Sequence, residues 1–167
     1  MQQIAKKNNG FSLIEVLVVI AIIDLLGSIV IFNVAFTTKK GRDTKRIADL
    51  TTIGRFLAGG ECRDHSLGDG VPIDLTHFAN ELVVANPQYA QFISQIPKDP
   101  QSGSNTESNY FYVKVGSTCV IYANLENEDS EITLTTLTNP TAGGGQGVLE
   151  GSANGVNGTK IYFQFSN

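Results

Sequence analysis

Cysteine and histidine are scarce in this chain, with two of each among 167 residues. Two cysteines cannot build a disulfide-held miniprotein or a four-cysteine zinc site. No serine nucleophile elbow, phosphate-binding glycine loop or pair of catalytic acids is spaced along the sequence, so nothing marks an enzyme. Charge of one sign is not in large excess either: 12 basic and 16 acidic residues leave a net charge of -4. The mean hydropathy is -0.01. Those averages exclude a polytopic membrane protein, a collagen-like chain and a wholly disordered one. The acid excess also argues against sequence-specific nucleic-acid binding.

What is there is unevenly distributed. Residues 1–10 and 11–57 each carry a net charge of +2, whereas residues 58–167 carry four bases against twelve acids. From Phe11 to Phe36 the chain runs FSLIEVLVVIAIIDLLGSIVIFNVAF, 26 residues with only Glu15 and Asp24 charged. As a helix rising about 1.5 Å per residue, that run spans a hydrocarbon core of about 30 Å with length to spare. A soluble core helix is rarely apolar on every face for so long. A cleaved secretory signal would end in a small-residue site after the run, and Phe36-Thr37-Thr38-Lys39 offers none. A lasting N-terminal anchor is the simplest reading. Five bases (Lys39, Lys40, Arg42, Lys45 and Arg46) follow the run, against Lys6 and Lys7 before it. Positive charge alone would therefore turn the C-terminal part toward the cytoplasm.

The junction before the run is distinctive. Lys6-Lys7-Asn8-Asn9-Gly10 followed by Phe11-Ser12-Leu13-Ile14-Glu15-Val16 resembles the processing site of type IV pilins and type II secretion pseudopilins. The resemblance implies that prepilin peptidase cuts between Gly10 and Phe11 and methylates the new amine of Phe11. It leaves 157 of the 167 residues in the mature chain. It further implies that Glu15 pairs with the Phe11 amine of a neighbouring subunit during assembly. A carboxylate inside a membrane costs roughly 2.5–3.5 kcal/mol on insertion scales, so it persists where a partner compensates it. The alternative is a Glu15 that snorkels from the helix end. Asp24 departs from the family pattern and lies half a turn from Glu15 around the helix, so the two acids cannot share one partner. It needs its own basic or hydroxyl partner, or protonation on burial. Gly27 is a poor helix former and would permit local extension of the stem.

Beyond the run, Ile47, Leu50, Ile53 and Leu57 recur at helical spacing, so residues 37–57 read as the amphipathic half of the same helix, stopped by Gly59-Gly60. Lys39, Lys40, Arg42, Lys45, Arg46 and Arg55 read as a solvated basic collar, or as a surface for lipid phosphates or acidic neighbours. Residues 58–167 form the head. Asp74 can cap a short helix with Leu75, Phe78 and Leu82 inward. The two prolines of Ile96-Pro97-Lys98-Asp99-Pro100 require a turn or an extended loop. Residues 110–115 and 119–125 flank Gly116-Ser117-Thr118 as a hairpin, residues 132–137 read as a third strand and 160–165 as a fourth. Residues 141–158, rich in glycine, read as a flexible loop with almost no core. The expected fold class is α+β: a long N-terminal helix, its apolar half protruding, on a small antiparallel sheet of about four strands. That arrangement, and the aromatic strand after the IPKDP turn, also resemble pilin heads.

Cys62 and Cys119 are 57 residues apart in sequence. They form either a disulfide, which requires a head outside the cytoplasm, or two buried free thiols. A Cys62-x-x-His65 pair lacks the second half of a zinc site. Glu126, Glu128, Asp129 and Glu131 read as a solvated turn; Glu126, Glu128 and Asp129 are also candidate calcium ligands, because major pseudopilins bind calcium in head loops. Otherwise no cofactor is expected. Asn157-Gly158-Thr159 fits a glycosylation sequon in an exposed loop. The resemblance implies a polymerising subunit whose partners are its own copies, related pilins or pseudopilins, prepilin peptidase, the membrane and an assembly platform. It implies an inner-membrane precursor with its head outside the cytoplasm, and an extracellular or periplasmic filament once assembled. The threonine- and glycine-rich C-terminal region favours a pilus subunit serving motility, adhesion or DNA uptake. A type II secretion pseudopilin is the alternative, and a membrane-anchored monomeric binding protein is the alternative of another class.

Overall fold

The computed structural model describes residues 11–58 and 62–167, without the side chains of residues 27–35, 56–58, 89 and 92. Gly10, Gly59 and Gly60 lie outside those residues, as does the side chain of Leu57. The chain is α+β. In order it forms helix α1 (Leu13–Ala58), strand β1 (Ile73–Asp74), helix α2 (Leu75–Ala85), a 3-10 segment (Pro87–Gln95), and strands β2 (Phe111–Val115), β3 (Thr118–Asn124), β4 (Gly147–Glu150) and β5 (Ile161–Ser166). Two compact units divide it: one ends at Thr38 and the other covers Lys39–Asn167.

Within the second unit, α1 buries Asp43, Arg46, Leu50 and Gly54, a single stripe with steps of three, four and four. The strands form one antiparallel sheet in the order β1-β2-β3-β5-β4. Its inner face supplies Tyr112, Cys119, Ile121, Ala123, Ile161 and Phe163 to the core that Leu50 enters, with Ile47 and Ile53 packed alongside. Each apolar side chain fully removed from water in this way contributes about 1.5–3 kcal/mol before entropy is counted. The approach of helix to sheet is close: a Cβ on Gly54 would lie 2.2 Å from the Phe165 ring.

Local chemistry explains the well-formed elements. The β2–β3 hairpin pairs Val115 with Thr118 across Gly116-Ser117, and Gly116 adopts φ 59°, the left-handed entry a two-residue hairpin loop needs. Asp74 caps α2 by accepting from the Thr76 N–H at 2.8 Å, and the same carboxylate takes the N–H groups of Ser108 and Asn109. The capping carboxylate thus ties the loop before β2 to the start of α2.

The region after β3 departs from the sequence expectation. Residues 132–137 form no strand; instead the N–H groups of Thr133 and Leu134 both donate to the Val148 carbonyl at 2.9 Å, bordering β4. The glycine-rich stretch 141–158 is not coreless. It contains β4, in which Leu149 is completely buried; β4 takes the place of the expected strand at 132–137, and the two-residue β1 brings the sheet to five strands. Glycines on both sides and only two apolar residues, Val148 and Leu149, leave β4 too short to show alternation in sequence. The buried Gln164 side chain pins the stretch further, accepting from Thr141 N–H at 2.8 Å and donating to the Gly145 carbonyl at 3.0 Å.

Candidate assembly site

The N-terminal unit begins with a capping box. Ser12 is followed three residues later by Glu15, and Glu15 Oε2 accepts from both the Ser12 N–H and the Ser12 hydroxyl at 2.8 Å. The Glu15 N–H donates back to Ser12 Oγ at 3.3 Å. Two orphan N–H donors at the helix start are thereby satisfied reciprocally, that of Ser12 by the Glu15 carboxylate and that of Glu15 by the Ser12 hydroxyl oxygen. Oε1 takes no part in these bonds, and Glu15 is exposed. Phe11 stands next to this cap, 88 % exposed.

From Phe11 to Leu26 every residue is exposed, including Leu13, Ile14, Leu17, Ile20, Ile23 and Leu25. A contiguous apolar surface of this kind marks a lipid or protein contact. Asp24 is exposed among these side chains. Among the described residues no helix is long and apolar enough to cross a membrane. The apolar run of the sequence extends over 26 residues, from Phe11 to Phe36. The span therefore rests on the sequence.

In the second unit the basic collar is only partly solvated. Arg46 is completely buried. Its Nε and Nη2 donate to the two oxygens of Asp99 at 2.7 and 2.8 Å, a bidentate grip. Its Nη1 lies 2.6 Å from Asp43 and 2.7 Å from Glu126. Arg42 clasps Glu126 with Nε at 2.7 Å and with Nη2. Asp43 also receives the backbone N–H groups of Glu126 and Asn127 at 2.9 Å. Two guanidiniums thus hold three carboxylates drawn from α1, from the turn at Asp99 and from the segment that follows β3. Burial works against a charged Asp99, but the Arg46 guanidinium and nearby N–H groups hold its carboxyl well below the usual carboxylate range. Arg42 lowers Glu126 in the same sense against the opposing effect of burial.

This arrangement corrects two expectations. Arg46 is no solvated collar residue, and Glu126 is no solvated turn residue; each supplies the charge the other needs once water is removed. The sequence held a signal for this: Asp43, Arg46, Leu50 and Gly54 fall on one helical stripe, polar at one end and apolar at the other. Glu126 is occupied by arginines, while Glu128 and Asp129 are exposed. Among the described residues no group of three or more His, Cys, Asp or Glu is placed to hold a metal ion. The His65 ring meets Phe78 and Tyr112 edge-on, with centroids 6.4 and 5.9 Å away. Cys62 is joined to Cys119 in a disulfide with Cα atoms 5.7 Å apart. Asn157 is not the free acceptor a sequon in an exposed loop would offer. Its amide donates to Asp99 at 3.0 Å and to the Asn124 carbonyl at 2.8 Å.

A family model described as the prokaryotic N-terminal methylation motif matches residues 5–31. The chain carries the N-terminal signature of type IV pilins and pseudopilins. That motif implies processing by prepilin peptidase, a membrane-anchored precursor and assembly into pilin-type filaments. No curated protein and no solved structure matches the chain.

Proposed function

We propose that this chain is a structural subunit of a type IV pilus-like filament, cut between Gly10 and Phe11 and polymerised through its N-terminal helix. The observation that carries this reading is the coincidence of the methylation motif at residues 5–31 with an uncovered apolar helix surface from Phe11 to Leu26. A surface of that size is stable in lipid before assembly and among like helices afterwards, and in water in neither case. The apolar run of the sequence anchors the precursor. The Cys62–Cys119 disulfide supports a head outside the reducing cytoplasm.

Glu15 sets the register. Its Oε2 remains in the capping box, and its Oε1 accepts the methylated Phe11 ammonium of a neighbouring subunit. The pair therefore forms without dismantling the helix start. In a low-dielectric surround such a charge pair is strong and sensitive to distance, so it selects one axial offset. The role is structural rather than catalytic, as for the proteins that share the motif. Glu15→Gln tests the pairing, because glutamine keeps a capping oxygen and loses the charge. Precursor insertion and cleavage should be unchanged while sheared surface filaments fall to a small fraction of wild type in electron micrographs. Filaments at normal yield would refute the charge pair; short periplasmic assemblies in the unaltered strain would move the chain to a type II secretion pseudopilus.

A further inference from the structure

The outer face of the sheet, turned away from α1, carries three rings side by side. Phe111 of β2 pairs across the ladder with Tyr122 of β3, and their rings stack with centroids 5.5 Å apart. Tyr162 of β5 meets Tyr122 edge-on at 6.2 Å. These rings floor a cleft of about 420 Å³ whose far wall is the segment from Asn154 to Val156. That volume falls in the range of small-molecule sites, about 300–1,000 Å³.

The wall is held in place by a built set of bonds. Asn124 Oδ1 accepts from the Asn157 N–H at 2.7 Å, and Asn124 Nδ2 donates to the carbonyls of Thr159 and Ile161 at 2.9 and 2.8 Å. Gly155 lies so close to Asn124 that a Cβ would sit 2.4 Å from its amide carbon. At the other end, the Tyr162 hydroxyl donates to the Ala153 carbonyl at 3.1 Å. The Tyr122 hydroxyl makes no hydrogen bond to another described residue. Burial, and then Tyr162, push its pKa up to about 12, so it is a donor at any physiological pH. Asn154 and Val156 are exposed at the mouth.

The charge of the site selects its occupant. No residue lining this cleft is charged. It is set in a head segment with four bases against twelve acids, which repels nucleic acids, sulfated chains and other polyanions. Aromatic rings present a negative face to weakly positive C–H groups, and hydroxyl and amide groups bond hydroxyls. We propose that the Phe111–Tyr122–Tyr162 cleft binds a neutral saccharide, its ring C–H face against the aromatic floor and its hydroxyls toward Tyr122 and Asn154.

Saturation-transfer NMR on the full chain tests this, in a zwitterionic detergent without a sugar headgroup. The probes are lactose, cellobiose and N,N′-diacetylchitobiose, with sialyllactose and an uncharged apolar peptide as comparisons. Transfer to the ring C–H protons of at least one neutral disaccharide is expected. Affinity should fall roughly tenfold in Tyr122→Leu, the loss of one well-placed aromatic contact. Val156→Arg and Asn154→Ala, both at exposed positions, should weaken binding while leaving the fold intact, so a failure of Tyr122→Leu to fold does not decide the matter. No transfer to any neutral sugar, undiminished transfer in Val156→Arg, or a preference for sialyllactose or the peptide would each overturn the proposal.

Discussion

Arg46 reaches Asp43, Asp99 and Glu126 from a helix face that also carries Leu50 and Gly54. Removing a charge from such a group leaves the others buried without compensation. Arg46→Met should therefore destabilise the head by about 3–5 kcal/mol, read as a lower denaturation midpoint in urea. The same contacts set a pH dependence. Asp99 and Glu126 have folded pKa values below their unfolded ones, near 4, so their contribution is fully present above that pH. It is lost as pH falls through the depressed folded values. Unfolding free energy should be level from pH 7 to 5 and decline on further acidification. Asp99→Asn should flatten that acid limb, and an acid limb identical to wild type would contradict the assignment.

At the scale of elements, α1 and the sheet are fitted to each other at Gly54. A Cβ at Gly54 would fall 2.2 Å from the Phe165 ring, so Gly54→Ala must push helix or ring aside. It should cost about 1–3 kcal/mol despite alanine's better helix propensity. Gly41 on the same helix has nothing within 4 Å of such a Cβ, so Gly41→Ala should be neutral or stabilise by up to about 1 kcal/mol. Thermal unfolding of the two variants side by side checks the contrast. Which elements were legible in sequence follows from how local their causes are. The Asp74 cap, the hairpin at Gly116-Ser117 and strand β5 each follow from a few adjacent residues. Strand β4 does not, because its stability comes from Phe163 and Tyr162 on β5 and from Thr133 across its edge. Arg46 lies on a helical stripe with Leu50 that the sequence does show, but its partner Asp99 is 53 residues away, so the charge pairing that permits its burial is not local.

For the whole molecule, sequence and structure divide the work. The N-terminal methylation motif was legible because a short constellation, Gly10-Phe11 with Glu15 ahead of an apolar run, has little meaning elsewhere. The capping box around Glu15 adds what the motif does not contain, a local anchor made through Oε2 alone. The head contributes a disulfide, a buried charge cluster and an uncharged aromatic cleft, none of which the N-terminal motif requires. The central claim is that Phe11 begins the mature chain and supplies the amine that assembly uses. Intact and N-terminal peptide mass spectrometry of the protein from membranes and from sheared surface material tests it directly. A chain starting at Phe11 and heavier by one methyl group on its amine is expected in both fractions. A chain that still begins at Met1, with Gly10–Phe11 uncut, would contradict it.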